Sequence, residues 1–254
     1  MLPLFNYEQI TEMLKTFMQS CGLIPISPSN YIKNSSFNSG LAYEEEDLSK
    51  RNNVFVVQGC SRINDIEKKD KLATLAFFHM FSISPSLKLN ELIDFLKYLI
   101  KVFQLQPSKF QLNTIYPLEY LVEEINKKCG INNVKYYDKN EAFKLKNGEG
   151  YLVYPADSKD EKNIFRTLSI YYEINENIQI EIIQIVEFRD FCNNKNYGLS
   201  VGIERLYTAI NHNIPNVFIP SWSNTIPLFK QLIEKESKEL GVQLPPGYDL
   251  IIKS

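Results

Sequence analysis

Histidine is scarce in this sequence, and its cysteines lack the spacing of a metal site. The 254 residues include two histidines, His79 and His212, and four cysteines that form no CxxC pair. A zinc centre built from a histidine and cysteine cluster is therefore not expected. Irregular cysteine spacing is typical of reduced thiols rather than of a disulfide framework, so we predict a cytoplasmic protein.

The sequence also lacks a strong net charge and a long apolar run. Its 28 basic and 30 acidic residues give a net charge of −2, and the pI is near 5.9. Without a strongly basic field, tight sequence-independent binding of nucleic acid is disfavoured, although a local basic patch would still permit it. No run of about 18 apolar residues occurs, and the N-terminus has no basic segment before an apolar one. We therefore predict neither a membrane span nor a secretory signal.

Apolar residues recur three or four positions apart in several stretches, which predicts amphipathic helices there. Three of these stretches end at a glycine, and glycine readily adopts the left-handed conformation that closes a helix. The predicted helices cover 7–22, 89–105, 117–129 and 228–241.

Strands are predicted where β-branched and aromatic residues cluster. NNKNYG (193–198) is interpreted as a tight turn that leads into a helix beginning in GLSVGIERLYTAINH (198–212), and the polar segment 33–52 as a loop. No repeat or Gly/Ser linker divides the chain, so we predict one α+β domain over 1–254, built around an antiparallel sheet. The predicted strands are 53–62, 73–83 bounded by Ser84-Pro85, 110–115, 133–137, and a hairpin over 169–191 with its turn at Asn175–Asn177.

In the largely apolar stretch IQIEIIQIVEF (178–188), Glu181 and Gln184 stand among apolar neighbours. Residues three apart face opposite sides of a regular strand, but a bulge would bring both to one cleft. Glu181 would then hold a divalent cation through a hard oxygen ligand, and Gln184 would hydrogen-bond a small polar substrate. The alternative is an edge strand whose polar residues meet water.

Arg62 follows an apolar predicted strand, with Asp65 and Glu67 shortly after it. At that position its planar guanidinium can clamp a phosphate bidentately. The alternative is a surface arginine paired with one of the two carboxylates. The neighbouring aromatic stretch over 77–80 is by itself more typical of a core than of a nucleotide pocket.

Gly202 and Arg205 stand near the start of an apolar helix, where plain core packing needs neither. A glycine lets backbone and ligand approach closely. The positive N-terminus of a helix adds to the field of the guanidinium. We therefore interpret Arg205 as facing a bound phosphate.

These signals share one order along the chain, and that order resembles the three motifs of class II aminoacyl-tRNA synthetases, in detail the catalytic core of alanyl-tRNA synthetase. The bacterial glycyl-tRNA synthetase α chain is the second-best resemblance. The segments that carry the resemblance are EMLKTFMQSCGLIPISPSN (12–30), VVQGCSRINDIE (56–67), AFFHMFSIS (76–84), EIIQIVEF (181–188) and LSVGIERLYTAI (199–210).

The resemblance implies a class II synthetase-like antiparallel sheet flanked by helices, and a ligase that uses ATP and Mg²⁺. It would adenylate an amino acid or similar carboxylate and release pyrophosphate. The implied ATP contacts are Arg62 on the α-phosphate, Arg205 on the γ-phosphate, Phe78 and Met80 at adenine, and Asp65 and Glu67 in a closing loop.

The resemblance also implies the remaining site residues. Glu181 would coordinate Mg²⁺ and, with Arg62 and Arg205, form the catalytic set. Gln184, Ser200 and Gly202 would contact the amino acid. The acceptor of the activated group would be a tRNA, a carrier protein or a small molecule, and the chain would form a homodimer without a tRNA-binding, editing or C-terminal oligomerisation domain.

The chain departs from the family pattern mainly in its amino-acid part. Gly198 stands where the family has an aspartate that meets the substrate ammonium, Ser200 replaces a glycine, and His79 replaces a glutamate. Two further functions therefore stay open beside the ligase. One is a non-catalytic nucleotide-binding paralogue, and the other is a catalytic subunit that needs a separate tRNA-binding chain.

Overall fold

The structure of the protein is a computed structural model that combines one large sheet with a helical layer. It describes residues 5–33, 36–37, 53–61, 77–138, 140–142, 166–176, 178–189, 194–211, 230–245 and 248. The strands are β1 (Ile24–Pro25), β2 (Ile32–Lys33), β3 (Ser36–Phe37), β4 (Val54–Ser61), β5 (Phe77–Leu87), β6 (Phe110–Ile115), β7 (Asn133–Tyr137), β8 (Arg166–Asn175), β9 (Ile178–Arg189) and β10 (Lys195–Gly202). The helices are α1 (Tyr7–Ser20), α2 (Leu89–Val102), α3 (Glu119–Cys129), α4 (Ile203–Asn211) and α5 (230–240).

Eight of these strands form a single sheet in the order β1-β4-β5-β10-β9-β8-β6-β7. The pairs between β4 and β6 in this order are all antiparallel, whereas β1 pairs with β4 and β7 pairs with β6 in parallel at the two edges. Strands β2 and β3 form a separate short hairpin. The predicted α+β architecture around an antiparallel sheet is therefore confirmed.

The predicted helices are present, with ends set by local capping. Asn6 and Gln9 form a reciprocal capping box that starts α1. Gly22, Gly130 and Gly241 follow α1, α3 and α5 with φ values of 82°, 72° and 64°, which is the left-handed conformation that only glycine adopts cheaply. Helix α2 stops at Val102 rather than 105, and Gln104 has a positive φ of 53° as the chain turns away.

Three predictions, of a strand, of a turn with the helix after it and of a loop, were wrong in bounds or in element type. Strand β5 continues past Pro85 to Leu87. Its pairing with β4 ends at Ile83 and its register against β10 slips beyond that point, so the missing proline N–H interrupts no regular ladder. Residues 195–202 form strand β10 instead of a turn and helix, because their alternating apolar side chains lie between β5 and β9. The predicted loop 33–52 also contains β3, and residues 38–52 lie outside the described ranges.

The two faces of the sheet differ in polarity. One face packs against α1, α2, α3 and α4 in a single apolar core, to which the central strands contribute Phe81, Ile83, Leu199, Val201, Ile183, Ile185, Leu168 and Ile170. On the opposite face, directly paired positions of five adjacent strands carry neutral polar side chains, which we call the polar row: Ser82, Ser200, Gln184, Ser169 and Asn113. The described helices include none with the length and apolar character needed to cross a membrane.

Candidate functional site

A bulge in β9 brings Glu181 and Gln184 to the same face of the sheet. Ile170 of β8 pairs with Ile183, but the next residue of β8 pairs with Glu181, so Ile182 is the extra residue. Since β9 lies between β8 and β10, the edge-strand interpretation of these polar residues is wrong.

The polar face of the sheet contains a pocket that brings together residues from β5, β9, β10 and α4. It encloses about 330 Å³, including space open to solvent. Seven of the residues singled out in the sequence line it, although they come from three separate stretches of the chain. The lining residues are Phe78, Met80, Glu181, Ile182, Ile183, Gln184, Ser200, Gly202 and Arg205.

Arg205 lies in the first turn of α4 and forms an ion pair with Glu181 in this pocket. Its Nη1 is 3.3 Å from Glu181 Oε2 and donates to the Glu181 carbonyl oxygen at 3.2 Å. The two side chains are only 17 % and 15 % exposed. Within the described residues, Nη2 and Nε of Arg205 have no hydrogen-bond partner, so these donors are available to an anionic ligand.

Gly202 is the last residue of β10 and lies beside the stem of Arg205. A Cβ added at Gly202 would be 3.3 Å from Arg205 Cδ. That distance is tighter than ordinary van der Waals contact between carbon atoms. The glycine therefore lets the arginine stem lie directly against the backbone at the strand-to-helix junction.

Glu204 ties the start of α4 to strand β5. Its two carboxylate oxygens accept from the backbone N–H of His79 at 3.0 and 2.9 Å, and Oε1 is 2.9 Å from His79 Nδ1. The ring of Tyr7 contacts the His79 ring edge-on at 5.7 Å. Burial, with Glu204 as the second cause, raises the pKa of Tyr7 far above its usual range. Sequence reasoning missed the contact between Glu204 and His79 because these two residues are far apart in the chain.

Phe78 belongs to the core and to the pocket at once. It is 4 % exposed and packs with Cys60 and Met80. The Arg205 Cζ lies 6.0 Å from the centre of its ring, at the outer limit of a cation–π contact. The ring is thus positioned by apolar packing while it also lines the pocket beside Arg205.

Arg62, Asp65 and Glu67 lie outside the described residues, so their roles stay predictions. Strand β4 ends at Ser61, one residue before Arg62, and Ser61 pairs with Phe77 beside the pocket-lining Phe78.

Among the described residues, the pocket offers a magnesium ion one carboxylate, that of Glu181. In the part of the chain that the structure describes, no three His, Cys, Asp or Glu side chains are grouped in a way that could hold a metal. Magnesium is commonly bound by one or two carboxylates together with substrate phosphates and water. Glu181 fits this pattern, because its Oε1 is buried without a hydrogen-bond partner among the described residues.

Comparison with known proteins places the fold. No protein-family model and no curated protein matches the sequence. Among solved structures, the RNA binding domain of threonyl-tRNA synthetase from Cryptosporidium parvum superposes with a TM-score of 0.50 at 10 % identity, covering 93 % of this chain and 74 % of that one. An aspartyl-tRNA synthetase from Entamoeba histolytica gives a TM-score of 0.48 at 12 % identity, over 83 % of this chain and 55 % of its own.

The asparaginyl-tRNA synthetase from Entamoeba histolytica gives a TM-score of 0.43 at 11 % identity, over 82 % of this chain and 64 % of its own. At such identities a structural likeness shows the fold alone. The threonyl match, taken with the central antiparallel sheet and its helical layer, confirms the predicted class II synthetase-like fold.

Proposed function

We propose that this protein is a ligase of the class II aminoacyl-tRNA synthetase type that activates an amino acid or similar carboxylate with ATP. The observation that carries the proposal is the pocket on the polar face of the sheet. There, a guanidinium, a largely buried carboxylate, an aromatic ring and an amide converge from β5, β9 and α4. A site with these groups can neutralise a triphosphate and orient a small polar molecule beside it.

The proposed reaction is attack by the substrate carboxylate oxygen on the α-phosphorus of ATP. The bond from that phosphorus to the bridging oxygen of the β-phosphate breaks, and pyrophosphate leaves. Side chains have little covalent work in such a displacement, so positioning and charge neutralisation supply most of the catalysis. Arg205 would bind the γ-phosphate through its available donors, and Arg62 would bind the α-phosphate.

Phe78 and Met80 would offer apolar surface to adenine, while Asp65 and Glu67 would belong to the loop that closes over ATP. Glu181 would bind a Mg²⁺ ion, which would supply charge neutralisation on the leaving pyrophosphate. Gln184, Ser200 and Gly202 would bind the amino acid, or the similar molecule that carries the reacting carboxylate, on the polar face of the sheet.

Amino-acid-dependent exchange of labelled pyrophosphate into ATP tests this proposal. The sequence resemblance makes alanine the first substrate to try, followed by the other standard amino acids. We expect exchange with at least one amino acid, lost in Arg205→Ala and in Arg62→Ala but retained in Lys97→Ala, whose lysine is exposed on α2. Exchange that persists in Arg205→Ala would contradict the proposal. So would the absence of exchange with every standard amino acid.

A second candidate function is nucleotide binding without catalysis, and the position of Gly198 favours it. Gly198 lies within β10, paired with Val186, and provides no carboxylate for a substrate ammonium. Calorimetry separates the two functions, because a non-catalytic paralogue would bind ATP with measurable heat and yet support no exchange.

The partners follow from the same proposal. The activated group would pass to a tRNA, a carrier protein or a small molecule in the cytoplasm. If the chain acts as a catalytic subunit, a separate tRNA-binding chain would co-purify with it from a lysate. The proposed homodimer would sediment at about twice the mass of the chain, which is 29.6 kDa.

A further inference from the structure

We infer that the substrate of this site carries a neutral hydroxyl or carboxamide group, which the polar row binds. The inference rests on the proposed function and narrows its substrate class. The polar row comprises Ser82, Ser200, Gln184, Ser169 and Asn113.

Strand register places these side chains next to one another. Ser200 pairs with Ser82 on one side and with Gln184 on the other, and Gln184 pairs with Ser169. Directly paired residues point to the same face of a sheet with Cβ atoms about 5 Å apart. Gln184 and Ser200 line the pocket that also contains Arg205 and Glu181. Two members of the row thus line the pocket, and Ser169 lies directly beside one of them, Gln184.

Two members of the row have hydrogen-bonding capacity that the described residues do not use. Ser169 is 1 % exposed, and its Oγ has no hydrogen-bond partner in the described part of the chain. The side-chain amide of Gln184 likewise makes no hydrogen bond to any described residue. By contrast, the hydroxyls of Ser82 and Ser200 bond each other at 3.2 Å. The unused groups are a buried hydroxyl and an adjacent amide, which together both donate and accept.

Buried polar groups in proteins are nearly always hydrogen-bonded, because an unpaired buried hydroxyl destabilises the fold. Alanine at position 169 would pack between its neighbours without that cost. A polar ligand that bonds Ser169 and Gln184 explains why the hydroxyl is present in this row.

The absence of charge in the row selects the class of ligand. All five members are neutral, so an ionic substrate side chain would be desolvated there without a counter-charge from the row. An alkyl side chain would leave the hydroxyl and the amide unpaired. A hydroxyl or carboxamide avoids both penalties, and sites built on such hydrogen bonds reject analogues that lack the polar group by up to roughly 10⁴-fold.

The test compares substrates and variants in pyrophosphate exchange. We expect kcat/KM for serine, threonine, asparagine or glutamine to exceed that for alanine and valine by on the order of 10²-fold or more. In Ser169→Ala this preference should fall at least tenfold, while ATP affinity stays unchanged and the melting temperature stays equal or rises. Ser20→Ala, at an exposed helix end, is the matched control. A preference unchanged in Ser169→Ala, or a lower melting temperature together with weaker ATP binding, would overturn the assignment.

The result also separates this inference from the proposed function. If exchange is as efficient with alanine or valine as with the polar amino acids, the inference about the polar row is wrong. The proposed ligase function would be unaffected by that result. If no amino acid supports exchange, the ligase proposal fails. The change in melting temperature on adding an amino acid then tests ligand binding by the polar row without catalysis. A shift with serine or asparagine that Ser169→Ala abolishes would support the row, whereas equal shifts with alanine, or none, would overturn it.

Discussion

Arg205 and Glu181, which we predict to bind a phosphate and a metal ion, bind each other, with Nη1 and Oε2 3.3 Å apart. An incoming triphosphate that binds the remaining donors of Arg205 would draw the guanidinium away from the carboxylate. Weakening this ion pair leaves a largely buried negative charge that needs a new partner. A cation on Glu181 provides that partner, so nucleotide and metal should bind cooperatively at this pocket.

The first prediction concerns Glu181→Gln, which keeps the side-chain shape and removes the charge. Without Mg²⁺, this variant should bind ATP roughly tenfold more tightly than the unmodified protein, a difference of about 1.4 kcal/mol, because no carboxylate competes for Arg205. With Mg²⁺, the unmodified protein should gain affinity and the variant should not. Calorimetric titrations of ATP in Mg²⁺ and in chelator measure both effects.

Glu12→Gln is a suitable control, since Glu12 is exposed on α1 and pairs only locally with Lys15. It should leave the Mg²⁺ dependence unaltered. Equal Mg²⁺ dependence in Glu181→Gln and in the unmodified protein would refute the coupling.

The second prediction concerns Glu204, which accepts the backbone N–H of His79. Glu204→Ala removes both acceptor oxygens that this N–H bonds, which should lower the free energy of unfolding by about 1–3 kcal/mol. Glu204→Gln keeps one acceptor oxygen and should cost less. Urea denaturation checks the order. Because Glu204 also anchors the helix turn that carries Arg205, ATP affinity should fall in the same order.

Glu8→Gln provides the comparison, since Glu8 is an exposed residue in the first turn of α1. It should change the free energy of unfolding by less than about 0.5 kcal/mol. Equal stability of Glu204→Ala and the unmodified protein would show that the contact with His79 does not hold α4.

Local patterns in the sequence predicted the elements whose stability is local. Helix α1 and strands β6 and β7 were predicted from the spacing of apolar residues and from glycines where the chain reverses. Strand β10 was missed because its short stretch is stabilised by β5 and β9 on either side, which no local window contains. The bulge at Ile182 was foreseen only as one option, since it is defined by the register against β8.

The candidate site shows the same division between local and distant information. Glu181, Gln184 and Arg205 were recognisable because polar residues interrupt apolar stretches. The pairing of Glu204 with His79 and the neighbourhood of Ser169 and Gln184 depend on strand order, so residue types alone could not reveal them. Arg62 remains a prediction, and its test is the exchange assay.

The third prediction compares two glycines. A methyl group at Gly202 meets the flexible stem of Arg205 at 3.3 Å, so Gly202→Ala should alter the free energy of unfolding by less than about 1 kcal/mol. The arginine stem must shift, however, and ATP affinity should fall several-fold. A methyl group at Gly59 would instead overlap the ring of Tyr31. Gly59→Ala should therefore destabilise the fold by about 1–3 kcal/mol.

Paired measurements of ATP affinity and urea denaturation distinguish these outcomes. If Gly202→Ala binds ATP as tightly as the unmodified protein, close approach of Arg205 to the backbone has no part in ligand binding.

The fourth prediction is a loss of stability at alkaline pH. Burial raises the pKa of the Cys129 thiol from 9.0 to about 11, and burial is also the main cause that raises the pKa of Tyr31, Tyr98 and Tyr172. Each of these groups is neutral when protonated, so the fold favours the protonated form. The stabilising effect of the thiol is complete below its unfolded pKa of 9.0 and is lost as the pH rises from there towards 11.

Urea denaturation at pH 8, 9 and 10 should therefore give a free energy of unfolding that falls steadily above pH 9. Cys129→Ala removes one of the titrating groups and should flatten the decline, by about 1 kcal/mol at pH 10. Because the variant also leaves a small cavity, the comparison concerns the slope with pH rather than the absolute stability. An identical slope in Cys129→Ala would mean that the buried thiol contributes nothing to the alkaline loss and that the tyrosines account for it.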